Sequence, residues 1–292
     1  MSEDIVERTE VLQPEVAEAL AGVLDVAPPG ELLPLMWHCA YLLERPPQAD
    51  LGPDGHPFRN ALPTPPAPGL RRMFAGGRVT VRRPLRIGAP ATRRSRVSSQ
   101  TTKDGRSGRL TFITVAHEYV QDGESAVLDE QDLVYREAPN AGQSSTAQSN
   151  AGQSSAAASP ASQGAGPAEA PAAVPTEAGE REVVIDPTLL FRFSALTYNA
   201  HRIHYDRTFA TQTEGYPGLL VHGPLQSLLM AEQARDAGFA VGPARFEYRL
   251  ESPLFDGQGC LVGASTGDDG VHAHVRDASG RRTARGIITT GS

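Results

Sequence analysis

Apolar positions fall in short blocks along this chain, and their spacing changes from block to block. A polar stretch of helical character opens the sequence, and a dense apolar block from Glu31 to Leu43, holding the only tryptophan, Trp37, predicts a buried helix. A Pro- and Gly-rich excursion from Pro46 to Pro68 follows. Strand-like runs come next at Gly77 to Ile87, Leu110 to Tyr119 and Gln131 to Arg136. From Asn140 to Arg181 the pattern vanishes: the residues are almost wholly Ala, Ser, Gln, Gly, Pro and Glu, with no aromatic, Leu or Ile. Such a segment cannot bury enough apolar surface to offset its ordering entropy, so a flexible tether is expected. The hexapeptide at Asn140 to Ser145 recurs once, at Asn150 to Ser155, which is low complexity and no solenoid.

Periodicity resumes after the tether. Pro224 stands at a first helical position behind Gly223, Leu225, Leu228 and Leu229 share one face, and Gly238 stops a helix that runs to about Ala237. Phe246 to Leu250 alternates as a strand does, and Val271 to Arg276 and Arg282 to Thr289 read as strands joined at Ser279-Gly280. A helix followed by antiparallel strands, in both halves, indicates an α+β fold in which a sheet wraps a helix. The expected organisation is a first half over residues 1–139, a linker over 140–181 and a second half over 182–292.

Composition narrows the class. A chain of 292 residues with 39% hydrophobic positions can build two cores of ordinary size. A net charge of −7 argues against nucleic acid as a partner. The longest strongly apolar run is too short to cross a bilayer, the acidic start lacks the features of a leader, and two cysteines make no disulfide framework. A cytoplasmic enzyme with no membrane partner is the expectation.

One motif points to chemistry. Phe193 to Ala210 reads FSALTYNAHRIHYDRTFA, with Val221-His222-Gly223-Pro224-Leu225 downstream. Phe193, Leu196, Thr197, Ile203, His204 and Ala210 fit in register the signature of MaoC-like hot-dog hydratases and dehydratases, and the chain resembles that family. Where the family carries Gly-Asp-x-Asn-Pro, this chain has Tyr198-Asn199-Ala200-His201-Arg202. The run Tyr-Asn-Ala-His-Arg-Ile-His-Tyr-Asp, with Leu51 to Pro57, Arg71 to Arg78, Gly108 to Glu118 and Gln131 to Glu137, is similar to the 3-methylfumaryl-CoA (mesaconyl-CoA) hydratases. The resemblance implies a double hot-dog with a degenerate first half and a catalytic second half. It further implies hydration of an α,β-unsaturated acyl-CoA, or the reverse, with no cofactor beyond the CoA thioester that is itself the substrate. A homodimer is compatible with it.

Adding water to an unsaturated thioester needs a base for the water, a proton for the α-carbon and stabilisation of the charge on the thioester oxygen. His204 is the candidate base, since imidazole holds and returns a proton near neutrality. Asn199 replaces the family's Asp; it can orient a water or simply serve as a turn residue. Gly223, at the start of a helix, offers a backbone N–H to an oxyanion or merely permits a tight turn. The spacing from His204 to Gly223 is one residue longer than usual, with the extra residue expected within Glu214 to Gly218. Tyr198 and His222 are candidate substrate contacts. Arg202 either clamps a distal carboxylate or ties its own loop through Asp206.

Arg71 and Arg72 are candidates for the CoA phosphates and belong to a basic stretch, Arg71 to Arg109, with eleven Arg and Lys103 against the single acid Asp104. Its plainer role is a solvated strand face. His201, His204, Asp206 and His222 lack the spacing of a metal site, and none is expected. His272 and His274, two apart on one strand, read as solvated. The rivals to a hydratase are a 3-hydroxyacyl-CoA or acyl-ACP dehydratase of fatty-acid or polyketide synthesis, and an inactive thioester-binding protein.

Overall fold

A computed structural model describes residues 5–57, 70–105, 108–137 and 176–291. Its frame is one ten-stranded antiparallel sheet in the order β1-β3-β4-β5-β2-β7-β10-β9-β8-β6. The first five places are held by β1 (Val6–Val11), β2 (Leu70–Val81), β3 (Pro90–Gly105), β4 (Gly108–Gln121) and β5 (Glu124–Glu137). The other five are β6 (Glu180–Glu182), β7 (Ala244–Leu250), β8 (Leu261–Gly267), β9 (Gly270–Arg276) and β10 (Arg282–Thr290). The halves meet where β2 pairs with β7, from Gly76 opposite Arg249 to Val81 opposite Ala244. A seam of backbone hydrogen bonds thus turns two five-stranded sheets into one, as in a hot-dog dimer fused into a single chain.

The second half's sheet curls around α3 (Gly223–Asp236), in which every residue from Leu225 to Ala234 is buried. A helix buried on all sides is the core of its layer rather than a cover on it. Pro224 in its first turn and the stop at Gly238 match the sequence reading. Two further helices, α1 (Pro14–Leu24) and α2 (Pro187–Leu196), both begin on a proline, and Asp186 caps α2 by accepting from the Leu189 N–H at 2.7 Å.

Three expectations shift. The block from Glu31 to Leu43 is no α-helix: Pro34 interrupts it, and Met36 and Leu42 take left-handed φ values of 73° and 55°. Only a 3₁₀ turn, Trp37–Ala40, forms, yet Leu33, Met36, Trp37, Ala40, Tyr41 and Leu42 are all buried. Irregular chain here packs into the core shared with α3, and the Trp37 indole donates to buried Glu232 of α3 at 2.6 Å. The opening polar segment contains β1 as well as α1, and β3 and β8 are strands the pattern did not reveal.

The tether also ends sooner than Arg181. Residues 138–175 lie outside the described ones, but Glu180 to Glu182 pair with β8, and the buried Glu180 carboxylate receives Arg276 at 2.6 Å and His274 at 2.8 Å. These arginine hydrogen bonds hold Glu180 well down, at about 2. His274 is therefore a partner of β6, while His272 pairs with Asp269 at 2.7 Å.

Candidate active site

The motif begins in the last turn of α2 and leaves it through a tight loop. The Thr197 hydroxyl donates to the Phe193 carbonyl at 2.7 Å, the Asn199 N–H to the Ser194 carbonyl at 2.8 Å, and Tyr198 between them takes φ 53°. Tyr198 occupies the family's Gly position, and a left-handed backbone there is the physical reason a glycine suits it. Asn199 accepts the His201 N–H on Oδ1 at 3.0 Å. A 3₁₀ turn, Arg202–His204, then carries the chain into the core.

His204 is buried, and its Nδ1 lies 2.7 Å from the Leu220 carbonyl. A carbonyl only accepts, so Nδ1 carries the proton and Nε2 keeps its lone pair. Burial pushes this imidazole down to about 4, against the pull of the Leu220 carbonyl, and the charge of His56 adds to the depression. His222 stacks on it at 3.7 Å between ring centroids, with Phe193 edge-on behind. His222 also bonds the Ser194 hydroxyl through Nε2 at 2.8 Å, is held well below its ordinary value by burial and by His204, and leaves Nδ1 buried without a partner. It is packed between His204 and Ser194, and neither His222 nor His204 is among the residues that line the cavity beside the motif loop.

Gly223 opens α3 directly after His222, so its N–H belongs to the first turn, where no intrahelical acceptor exists. A Cβ there would stand 2.4 Å from Leu250 Cδ1 and 2.7 Å from Phe74 Cδ1, so close packing also demands glycine. Between His204 and Gly223 the chain winds as a π-helix, Phe209–Thr213. A π turn holds one residue more than an α turn. This turn lies just upstream of the Glu214 to Gly218 stretch where the extra residue is expected.

A cavity of about 300 Å³ opens between this loop and the inner face of the first half's sheet. Tyr198, Asn199 and Pro224 line it from the second half, and His56, Arg72, Arg93, His117 and Gln131 from the first. Its wall is polar. Arg93 is buried, with NH2 3.2 Å from Glu44 and Nε without a partner. His117, bonded to Ser95 at 2.7 Å, is pushed by burial to about 4 against the opposing charge of Asp129. Asp129 lies 3.4 Å from His38 and accepts from Gln131 at 2.8 Å; burial acts to raise it, but His38 and His117 outweigh that and hold it below the usual carboxylate range.

Arg202 is not in that wall. Its guanidinium grips Asp206 at 2.7 and 3.1 Å, donates to the Pro53 carbonyl at 3.0 Å and lies 4.3 Å over the Phe209 ring. It braces its own loop, and the clamp reading gives way to the loop-tying one. Arg72 stands at the cavity; Arg71 is on β2, but its side chain lies outside the described residues. Much of the basic stretch is neutralised on the sheet: Arg78 pairs with Glu130 and Asp132, Arg83 with Asp122 and Glu124, Arg86 with Asp122, and Arg94 with Glu7.

Sequence reasoning missed Asp54, His56, Arg93 and His117. The signal for the first two lies in the Leu51 to Pro57 match, whose residues show no chemistry until the fold sets them beside the motif loop. Asp54, His56 and His201 have ligand-type atoms all within 4.8 Å of one another. The His56 and His201 rings are stacked, at 3.8 Å and 34°, which sets their in-plane lone pairs side by side rather than converging on one point.

Buried His204 thus stands behind the motif loop, whose Tyr198, Asn199 and Ala200 line the cavity, and the relatives supply the chemistry this arrangement serves. The model of the family "hydroxyacyl-thioester dehydratase type 2" matches residues 36–256, and the chain belongs to that family. It is 43% identical over 261 residues, 85% of this chain and 83% of the other, to the mesaconyl-C(4)-CoA hydratase of Chloroflexus aurantiacus. A shorter match, 45% over 74 residues and 25% of each chain, is to the mitochondrial hydroxyacyl-thioester dehydratase type 2 of Schizosaccharomyces pombe. Among solved structures, HtdX of Mycobacterium tuberculosis superposes with a TM-score of 0.63 at 15% identity, over 98% of this chain and 99% of that one. A M. tuberculosis protein described as a double hot-dog fold superposes at 0.51 with 14% identity, over 99% and 96%. The double hot-dog architecture and the hydratase or dehydratase activity on acyl thioesters follow.

Proposed function

We propose that this enzyme adds water to, or removes it from, a short acyl-CoA whose acyl group carries a second polar end, such as 3-methylfumaryl-CoA. The observation that carries this reading is the pair of arginines, Arg72 and Arg93, set in the wall of the cavity beside the motif loop. Arg72 and buried Arg93 offer guanidinium groups to a distal carboxylate, and His117 and Gln131 offer further polar contacts. A long alkyl chain would instead bury the Arg93 Nε that already lacks a partner and offer nothing to the Arg72 guanidinium. The name of the Chloroflexus relative supports the same substrate class.

In this reading the thioester carbonyl points at the first turn of α3, where the Gly223 N–H and the positive end of the helix stabilise the developing oxyanion. His204 Nε2 takes a proton from water as its oxygen bonds to the β-carbon, and returns a proton to the α-carbon. Asn199 cannot transfer protons and helps fix the loop that presents the substrate.

The mitochondrial-type relative and the family description favour a second reading, dehydration of a 3-hydroxyacyl thioester of fatty-acid synthesis, which is the same chemistry reversed. A substrate panel separates the two by following loss or gain of the conjugated alkene absorbance. Our reading expects the highest kcat/KM on a short dicarboxylyl-CoA; a preference rising with alkyl chain length would favour the second.

A further inference from the structure

The replacement of the family's Asp by Asn199 removes one of two groups that can act on the water, and the first half brings an imidazole to the cavity that Asn199 lines. The turn that follows Leu51 is keyed into the motif loop. The Arg202 N–H donates to the Asp54 carbonyl at 2.8 Å, the Arg202 guanidinium reaches the Pro53 carbonyl, and Gly55, at φ 86°, lies so close that a Cβ would stand 1.8 Å from the Ala200 carbonyl oxygen.

That turn delivers His56. Its ring stacks on His201 at 3.8 Å, His201 meets His204 edge-on at 5.4 Å, and His56 lines the cavity together with Asn199. Asp54 fixes the ring from two sides: Oδ1 accepts the His56 N–H at 3.0 Å, and Oδ2 lies 3.3 Å from Nδ1. Burial works to raise Asp54, but its bond and charge interaction with His56 keep it ionised, below the usual carboxylate range. A carboxylate only accepts, so Nδ1 holds the proton and Nε2 has a free lone pair. Asn199 by contrast already spends its Oδ1 on the His201 N–H.

We propose that the Asp54–His56 pair is the second water-holding group of this active site. The inference rests on the hydratase reading above. One O–H of the attacking water donates to His204 Nε2 and the other to His56 Nε2, which turns the oxygen lone pair toward the β-carbon. The O–C bond forms as the first O–H breaks to His204 and the π electrons move toward the thioester oxygen; His204 then delivers that proton to the α-carbon. The second O–H survives in the product hydroxyl. Asp54 makes His56 Nε2 a stronger acceptor by accepting a charge-assisted hydrogen bond from the Nδ1–H.

Two substitutions separate water-holding from bracing. His56→Asn places an amide N–H where Nδ1–H stood, keeping the bond to Asp54, but has nothing at the Nε2 position. His56→Gln places an amide group at that position. With the water misaligned, kcat of His56→Asn should fall by about a hundredfold, with KM within about threefold of wild type, and His56→Gln should recover part of the loss. Asp54→Asn, which still accepts the His56 N–H, should lose about tenfold in kcat.

The inference is overturned by a His56→Asn enzyme with wild-type kcat. It is equally overturned by loss that His56→Gln does not reduce and that appears as raised KM or a lower melting temperature, which is the mark of a brace. If His56→Asn fails to fold, Asp54→Asn decides: unchanged kcat rejects the pair. A wild-type enzyme inactive on every enoyl-CoA tested would reject the hydratase reading itself, a different outcome from an active wild type matched by His56→Asn.

Discussion

Each imidazole around the motif is buried beyond easy protonation, and this sets the response to acid. His204 and His117 stand at about 4 against an ordinary 6.5, each for lack of solvent around the charged form. Above about pH 6.5 both folded and unfolded imidazoles are neutral and the shift costs nothing. As pH falls from 6.5 toward 4, the unfolded chain binds protons that the folded one refuses, so stability drops across that window and then levels for these two groups. Thermal unfolding from pH 8 to 4 should show the decline, and His117→Gln should make it shallower; a melting temperature constant from pH 7 to 4.5 would contradict the burial of these rings. Arginines divide by position rather than by motif. Arg202→Gln loosens the loop that holds every substrate, so kcat/KM should fall by a similar factor on crotonyl-CoA and on 3-methylfumaryl-CoA. Arg72→Gln should cost about ten- to a hundredfold on the dicarboxylyl substrate alone, the worth of one charge-assisted hydrogen bond. Parallel losses in Arg72→Gln would remove it from substrate recognition. The motif register marks His204 and Asn199 as candidates and offers Asp206, four residues on, as a partner of Arg202, but it cannot show the Pro53 carbonyl on the same guanidinium, because Pro53 lies far away in the chain.

Elements were legible in proportion to how apolar their inner faces are. β7 alternates buried and exposed along Ala244 to Arg249 with Ala244, Phe246 and Tyr248 inward, and its pattern is plain in the sequence. β3 alternates as well, but its inward positions are Ala91, Arg93 and Ser95. No hydrophobic periodicity exists there to be read, because that face of the strand borders the polar cavity and its surroundings. The feature that hid the element is the one that gives the site its chemistry. The apolar block around Trp37 misled in the opposite direction, since a continuous buried run does not reveal whether chain is helical or irregular.

Two small changes test the placement of elements. Gly223→Ala forces a methyl against Leu250 and Phe74 at the start of α3. It should destabilise the fold by about 1–3 kcal/mol, as overpacking does, and reduce kcat by shifting the helix terminus; an Ala variant of normal stability and activity would show that the turn has slack. Glu180→Gln removes the charge that draws Arg276 and His274 onto β6, so hydrogen exchange at Glu180 to Glu182 should quicken while β9 and β10 stay protected.

At the scale of the molecule, the seam between β2 and β7 and a core cluster that spans both halves make the chain one structural unit. The first half supplies no copy of the catalytic motif. It supplies the Asp54–His56 turn, the polar cavity wall and the Trp37 contact to α3, and that division of labour was only partly legible, since contacts between distant segments leave no local pattern. Residues 138–175 hold no aromatic, Leu or Ile, and deleting most of that segment, with enough chain kept to join Glu137 to β6, should leave activity intact. Loss of folding on shortening would assign it a structural role. The central claim is that this is an acyl-thioester hydratase run by His204. It is tested most directly by following the alkene absorbance of short enoyl-CoA and dicarboxylyl-CoA substrates with wild type and His204→Ala in parallel: the account predicts measurable turnover by wild type, a loss of about a hundredfold or more in kcat for the variant and nearly unchanged acyl-CoA binding, whereas a His204→Ala enzyme that keeps near-normal kcat would contradict it.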